Sequence, residues 1–271
     1  MVSFRPLIAP LFVPATRPER FRKAAESGAD AIIVDLEDAV PATEKDRARD
    51  ALADGVLDNL PVPVFLRING RATSWHAPDL GAASTLPIAG IMLPKSEGVG
   101  DLKLVAQRLG TELPVIALVE TAVGIAELRQ IAEAPNLGQI AFGSVDFALD
   151  IGAAHERDSL AFARAQIVLF SRVHQLPAPI DGVTVATRDT NLLASDCAHA
   201  NALGFGGKLA IHPAQVSTIR DAFRTSQQEV EWAKRVLAAE QASGGAAIQL
   251  DGMMIDAPVC ERARRILAKA G

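Results

Sequence analysis

The chain has 271 residues, of which 49% are hydrophobic and 22% charged, with a formal net charge of −5. That composition supports a substantial core in one large domain or at most two, and it excludes a disordered chain. No run approaches the ~18 apolar residues of a membrane span, no secretory signal pattern is visible, and an acidic chain with 4% aromatics does not suit nucleic acid. Cys197 and Cys260 are isolated, giving neither a disulfide framework nor zinc spacing, so the expectation is a soluble cytoplasmic protein.

Leu7–Val13 reads as a first strand, and Thr16 with Glu19 forms a capping box for a helix over Arg17–Ser27, which Gly28 ends. Strands follow at Ala31–Leu36, Val64–Ile68, Gly90–Leu93, Val115–Val119, Gln139–Phe142, Ala178–Asp181 and Lys208–Ile211. Helical patterns lie between them at Thr43–Leu57, Asp101–Leu109, Val123–Ala134, Ser159–Gln175 and Thr190–Leu203, and Pro213 suits the start of another. The tail reads as a helix over Gln227–Ala242, a turn at Gly244 and Gly245, a segment Ile248–Ile255 and a helix from Pro258.

Continuously apolar strands are buried on both faces, as in a parallel sheet. Eight strand–helix units fit either a (β/α)₈ TIM barrel or a doubly wound open sheet. The open sheet needs G-x-G-x-x-G after the first strand, where this chain has Pro14-Ala15-Thr16-Arg17. The reading is therefore a barrel over residues 1–224 and a C-terminal helical extension over 225–271, reaching a neighbouring subunit.

Barrel enzymes work at the C-terminal ends of their strands. That rule selects Asp35, Glu37 and Asp38 after the second strand, Arg67 on the third, Lys95 after the fourth and Glu120 after the fifth. Asp146 follows the sixth, Asp181 ends the seventh and His212 ends the eighth. Carboxylates from adjacent strands, without cysteine or clustered histidine, suit a hard cation, and Mg²⁺ needs only one or two of them. Glu120 and Asp146 are placed to share one ion, while Arg67 faces the same centre to bind a carboxylate or oxyanion bidentately. A metal beside an arginine suits a developing enolate.

At these residues the sequence resembles the citrate lyase β-subunit-like branch of the HpcH/HpaI aldolase superfamily. The motifs run along the whole chain: LFVPATRPERFRKA (Leu11–Ala24), DLEDAV (Asp35–Val40), FLRING (Phe65–Gly70), LPK (Leu93–Lys95), VETAVGI (Val119–Ile125), FGSVDFALDIG (Phe142–Gly152), IDGV (Ile180–Val183), GFGGKLAIHPAQV (Gly204–Val216) and MMIDAP (Met253–Pro258). The resemblance implies a TIM barrel with an added C-terminal segment, commonly a homotrimer (a trimer or hexamer is expected). It also implies Mg²⁺-dependent cleavage or formation of carbon–carbon bonds in CoA thioesters such as citryl-, malyl- or citramalyl-CoA, with Mn²⁺ as a substitute ion. Glu120 and Asp146 resemble the metal ligands, Glu120 and Arg67 the substrate-binding pair, and Asp256 the acid/base aspartate that some members give to a neighbouring subunit. Glu37 and Asp38 resemble carboxylates that hold metal-bound waters and orient the arginine. The chain departs from the family pattern at Ala15, Val145 and Gly206, which bears on CoA approach and substrate choice rather than on the metal carboxylates.

Plainer roles compete. Lys95 suits an ion pair with the DLED carboxylates, and the proline after His212 favours a loop hydrogen bond over catalysis. Arg17 and Arg20 either meet CoA phosphates or are merely solvated, and Asp256 followed by Ala and Pro is a good helix start. GFGGK lacks the spacing of a phosphate loop. The leading function is a lyase releasing acetyl-CoA, or a homologue, and a 2-oxo acid. The alternatives are an aldolase of the sister branch acting on free acids, a malate synthase- or thioesterase-like enzyme, and a subunit active only with acyl-carrier partners. The sister branch carries histidine where this chain has Asp38, which favours the CoA branch.

Overall fold

A computed structural model describes residues 4–242 and 248–270. The chain forms two compact units, one ending at Phe223 and one starting at Arg224. In the first, eight strands pair in parallel in chain order: β1 (Leu11–Pro14), β2 (Ile32–Asp35), β3 (Val64–Arg67), β4 (Gly90–Leu93), β5 (Val115–Val119), β6 (Leu137–Phe142), β7 (Ile180–Asp181) and β8 (Gly207–Lys208). Leu11 bridges Ala210 in parallel, and Phe12 N–H donates to the Ala210 carbonyl at 2.9 Å, so the last strand returns to the first and the barrel closes. The TIM-barrel expectation is met.

Period-two alternation then sorts the side chains. Ile33, Phe65, Met92, Ile116, Ala141 and Leu209 fill the barrel's interior. Ile32, Val34, Leu66, Ile91, Ala117 and Ile140 face the surrounding helices. These are α1 (Phe21–Ala25), α2 (Lys45–Ala51), α3 (His76–Ala83), α4 (Val99–Leu109), α5 (Ala122–Ala126), α6 (Leu128–Ala132), α7 (Ser144–Asp150), α8 (Ala161–Val173), α9 (Thr190–Leu203) and α10 (Val216–Phe223).

Several expected boundaries shift for identifiable reasons. The Thr16–Glu19 capping box does not form: Arg17 occupies the cap position without a side-chain cap, and Glu19 accepts from Arg17 Nε at 2.8 Å instead. The segment expected as one helix is a 3₁₀ turn over Pro18–Arg20 running into α1, and Gly28 closes it at φ +89°, where glycine carries no Cβ penalty. Leu7–Pro10 is not ladder strand, because Ile8 and Ala9 give their N–H groups to the Asp30 carboxylate. The helix expected over Val123–Ala134 is α5 followed by α6, and that over Thr43–Leu57 is α2 between two 3₁₀ turns.

In the second unit, α11 (Gln227–Ala242) packs on α12 (Ala257–Ala270) around Ala233, Val236, Ile255, Cys260 and Ala263. Between them lies an antiparallel hairpin of β9 (Ile248–Leu250) and β10 (Met253–Ile255). The expected turn at Gly244 and Gly245 lies outside the described residues. No described helix is long and apolar enough to cross a membrane.

Candidate active site

Register brings the charged residues together. Asp35 ends β2 directly beside Arg67 at the end of β3, and Val119 pairs with Phe142, which sets Glu120 next to Gly143. A cavity of about 420 Å³ opens there, lined by Asp35, Asp38, Arg67, Glu120 and Asp146 among apolar neighbours. Glu120 and Asp146 thus share one cavity, as their places after β5 and β6 anticipate. Glu37 and Lys95 stand outside this lining, each beside one of its members: Glu37 beside Arg67 and Lys95 beside Glu120.

Arg67 is buried and heavily engaged. Its Nε donates to Asp35 Oδ1 and its Nη2 to Asp35 Oδ2, both at 2.7 Å. Its Nη1 donates to Asp38 Oδ2 at 3.3 Å and lies 3.1 Å from Glu37 Oε2, while the guanidinium stacks 4.7 Å over the Phe12 ring. The side edge of the fork is therefore taken by Asp35. Guanidinium has five N–H donors, so the Nη1–Nη2 end still has donors to spare. Burial alone would lower the arginine's pKa, but Asp35, Glu37 and Asp38 raise it overall. Asp35 also accepts from the N–H groups of Glu37 at 2.8 Å and Ala39 at 3.1 Å, so one carboxylate fixes both the arginine and the DLED loop.

Lys95 links the two halves of the site. Its backbone lies at φ +47°, uncommon for a residue with a Cβ and costing ~1–3 kcal/mol. In that conformation its N–H donates to Glu120 Oε1 at 2.9 Å, while its Nζ donates to Glu37 Oε1 at 2.7 Å. The expected ion pair with the DLED loop is present. Gly143 is the matching constraint on the other side, since a Cβ there would overlap the Glu120 side chain.

Glu120 is only 2% exposed. Burial, then the charges of Glu37 and Asp146, push its carboxyl up to about 8. Burial likewise raises Glu37, against the opposing pull of Arg67 and Lys95. Acidic groups therefore outnumber basic ones around the cavity, a donor set of hard oxygens that suits a divalent cation. Among the described residues no group of three or more His, Cys, Asp or Glu is arranged to hold a metal. Mg²⁺ does not need one, because it keeps several waters and takes one or two carboxylates.

Other expected residues sit elsewhere. Asp181 does not serve the mouth: it is buried between the strands and α8, held by Arg164 Nε at 2.9 Å and Lys208 Nζ at 3.0 Å. His212 Nδ1 accepts from Ala214 N–H at 3.1 Å, and Gln215 completes a capping box, which is the structural role favoured for it. Arg17 and Arg20 are solvent-exposed beside Glu19. In the second unit, Asp256 Oδ1 accepts from Val259 N–H at 3.2 Å, so this aspartate does cap α12. Sequence reasoning passed over three contributors: the clamp role of Asp35, the stacking of Phe12 and the constraint at Gly143. The alternation of FLR and IVD along adjacent strands was the available signal for the first.

A closed (β/α)₈ barrel with acidic residues converging on its mouth defines a TIM-barrel protein with a hard-oxygen donor set, and comparison with known proteins makes the class specific. The model of the HpcH/HpaI aldolase/citrate lyase family matches residues 9–213, and that of the C–C bond lyases of the TIM-barrel fold matches residues 160–271. The chain belongs to the HpcH/HpaI aldolase/citrate lyase family. It is 38% identical over 269 residues to a citrate lyase subunit beta-like protein of Mycobacterium tuberculosis, covering 96% of this chain and 94% of that one. It is 35% identical over 274 residues to a (3S)-malyl-CoA thioesterase of Cereibacter sphaeroides, covering 98% and 95%. A crystal structure of M. tuberculosis CitE with magnesium, acetoacetate and coenzyme A superposes with a TM-score of 0.85 at 33% identity, covering 99% of both chains.

Proposed function

We propose that this protein is a Mg²⁺-dependent lyase that splits a hydroxy-acyl-CoA thioester into acetyl-CoA, or a close homologue, and a 2-oxo acid. The observation that carries this reading is the shared cavity of Glu120, Asp146 and Arg67, with more acidic than basic groups in its lining. The relative crystallised with magnesium, a 3-oxo acid and coenzyme A supports the same chemistry.

In this reading Glu120 and Asp146 hold the ion, and Mn²⁺ substitutes for it. When bound, Mg²⁺ supplies positive charge to the oxo-acid carboxylate and its adjacent oxygen. Glu37 and Asp38 hold water around that centre, and Lys95 fixes Glu37 and Glu120 together. During cleavage the Asp256 carboxylate of a neighbouring subunit takes the proton of the substrate hydroxyl, whose carbon becomes the new carbonyl. The electron pair of the broken carbon–carbon bond becomes the thioester enolate, whose oxygen Arg67 steadies through the Nη donors not taken by Asp35 and Asp38. Asp256 of a neighbouring subunit then delivers a proton to the acetyl carbon. Support for a subunit-shared site comes from Met253 and Met254, which are 55% and 71% exposed just before Asp256 and suit packing against another surface. Arg17 and Arg20, both solvent-exposed, would meet the CoA phosphates, and the expected assembly is a trimer or hexamer. Burial pushes the Cys197 thiol up to about 11, which fits an unreactive structural thiol, and the expected location is the cytoplasm.

The test incubates purified protein and Mg²⁺ with malyl-, citramalyl- and citryl-CoA and identifies products by mass spectrometry. Acetyl-CoA with a 2-oxo acid supports the lyase. Free CoA supports the thioester hydrolysis named for the Cereibacter relative. Cleavage of free 4-hydroxy-2-oxo acids with no thioester turnover moves the protein to the free-acid branch.

A further inference from the structure

Three carboxylates of the DLED loop serve the site. Asp35 clamps Arg67, Asp38 accepts from it, and Glu37 lies between Arg67 and Lys95. Where those side chains reach depends on how the backbone of the loop is held. Lys45 and Asn69 hold it, and neither lines the cavity.

Lys45, the first residue of α2, is only 6% exposed. Its Nζ donates to the Leu36 carbonyl at 2.8 Å and to the Glu37 carbonyl at 2.9 Å, and it lies 5.1 Å from the centre of the Trp75 ring. These hydrogen bonds go to backbone rather than to a carboxylate. Taking an ammonium out of water is costly, and methionine would fill similar space without that cost if filling were all the position required.

Asn69 braces the same point from beyond β3. Its Nδ2 donates to the Leu36 carbonyl at 3.0 Å and to Asp79 Oδ2 at 2.6 Å, and its N–H donates to that oxygen at 2.8 Å. Asp79, fully buried on α3, accepts in turn from Arg49 Nε at 2.8 Å. The Leu36 N–H donates to the Arg67 carbonyl at 2.9 Å. Leu36 is therefore fixed on both its polar groups, and a carbonyl with two donors has no lone pair to spare. Glu37 is held less redundantly. Its carbonyl accepts from Lys45 and from the Val40 N–H at 3.0 Å, which only closes the local turn. Loss of the Lys45 ammonium thus frees Glu37 first, and Glu37 is the residue that meets both Arg67 and Lys95.

Building on the lyase reading, we infer that Lys45 is a positioning residue of the active site, which pins the Leu36 and Glu37 carbonyls so that the Glu37 carboxylate spans Arg67 and Lys95. The test uses full-length Lys45→Met with Mg²⁺ and whichever of malyl-, citramalyl- and citryl-CoA the wild type turns over best. In folded enzyme kcat should fall about 10- to 100-fold, the scale on which a small misplacement is felt, with KM changing less than about threefold. Lys45→Arg keeps the charge and the donors and should bring kcat to within about fivefold of the wild type. In a Glu37→Gln background the same Lys45→Met change should cost less than about threefold, because its route into the site is already cut. Hydrogen exchange reads the loop without turnover. Amides of residues 36–40 should exchange at least ~10-fold faster in Lys45→Met, while those of β4 to β6 keep their wild-type rates. Should Lys45→Met fail to fold, Lys45→Gln, shorter and uncharged, takes its place in each measurement. A residue that only stabilises the fold would speed exchange throughout and leave kcat within about threefold of the wild type. That result overturns the inference, as does an equal loss in the Glu37→Gln background. Cleavage of none of the three thioesters overturns the lyase reading instead, and the exchange result then decides by itself whether Lys45 pins the loop.

Discussion

Magnesium binding should be steeply pH-dependent, and Glu120 sets the sign. Its carboxyl is pushed up to about 8, by burial first and then by the negative charges of Glu37 and Asp146. Mg²⁺ binds the ionised form, so the ion and a proton compete for the same side chain. With a proton affinity of about 8, competition weakens apparent Mg²⁺ binding about 30-fold near pH 6.5, about 4-fold near pH 7.5 and about 1.3-fold near pH 8.5. Affinity should therefore rise roughly 25-fold across that range and flatten above it. Isothermal titration calorimetry in two buffers of different ionisation enthalpy reads the same event independently. About one proton should leave per ion bound near pH 6.5, and about a quarter of a proton near pH 8.5. Glu120→Gln has no proton to release, so it should lose the pH slope and bind Mg²⁺ at least ~10-fold more weakly near pH 8.5. An affinity that is flat with pH in the wild type, or a slope retained in the glutamine variant, refutes Glu120 as a ligand titrating in competition with the ion.

Three further outcomes are expected. Arg67→Lys keeps the charge but loses the planar group that Asp35 clamps, so steady-state kinetics should show kcat falling on the order of 10²–10³-fold; an effect on KM alone would make Arg67 a plain binding residue. Asp181→Asn leaves Lys208 and Arg164 buried without their shared counter-charge and should cost about 3–5 kcal/mol in urea unfolding. Burial works to raise the Asp181 pKa, but Lys208 and Arg164 lower it overall. Its contribution is thus present above the ordinary aspartate range and lost as pH falls through the lowered value; a loss under ~1 kcal/mol at neutral pH would contradict this. Mixing Asp256→Asn subunits with Glu120→Gln subunits should restore activity that both parents lack, and failure to do so despite proven subunit exchange would rule out a site shared between subunits.

The sequence by itself determined the architecture. Apolar runs such as IIVD, VFLR and VIALV can be buried on both faces only in a parallel sheet covered by helices, and eight of them without a dinucleotide loop leave a barrel. The place of each strand end then located Arg67, Glu120 and Asp146 at one mouth, because side-chain direction along a strand is fixed by its period of two. The short helices were less legible. Seven or eight residues, as in α7 and α3, span about two turns, too few for an apolar repeat to stand out, and local polar contacts such as Arg17–Glu19 outcompeted the expected cap. Only the tertiary structure decided partnership across strands. That Asp35 rather than a ligand fills the side edge of Arg67 depends on the register between β2 and β3, and that Asp181 turns away from the mouth toward Arg164 depends on its parity along β7. The left-handed backbone of Lys95 and the closeness of Gly143 to Glu120 are likewise products of how β4, β5 and β6 are set side by side. Each arises between residues far apart in the chain, where a local pattern carries no information about distance.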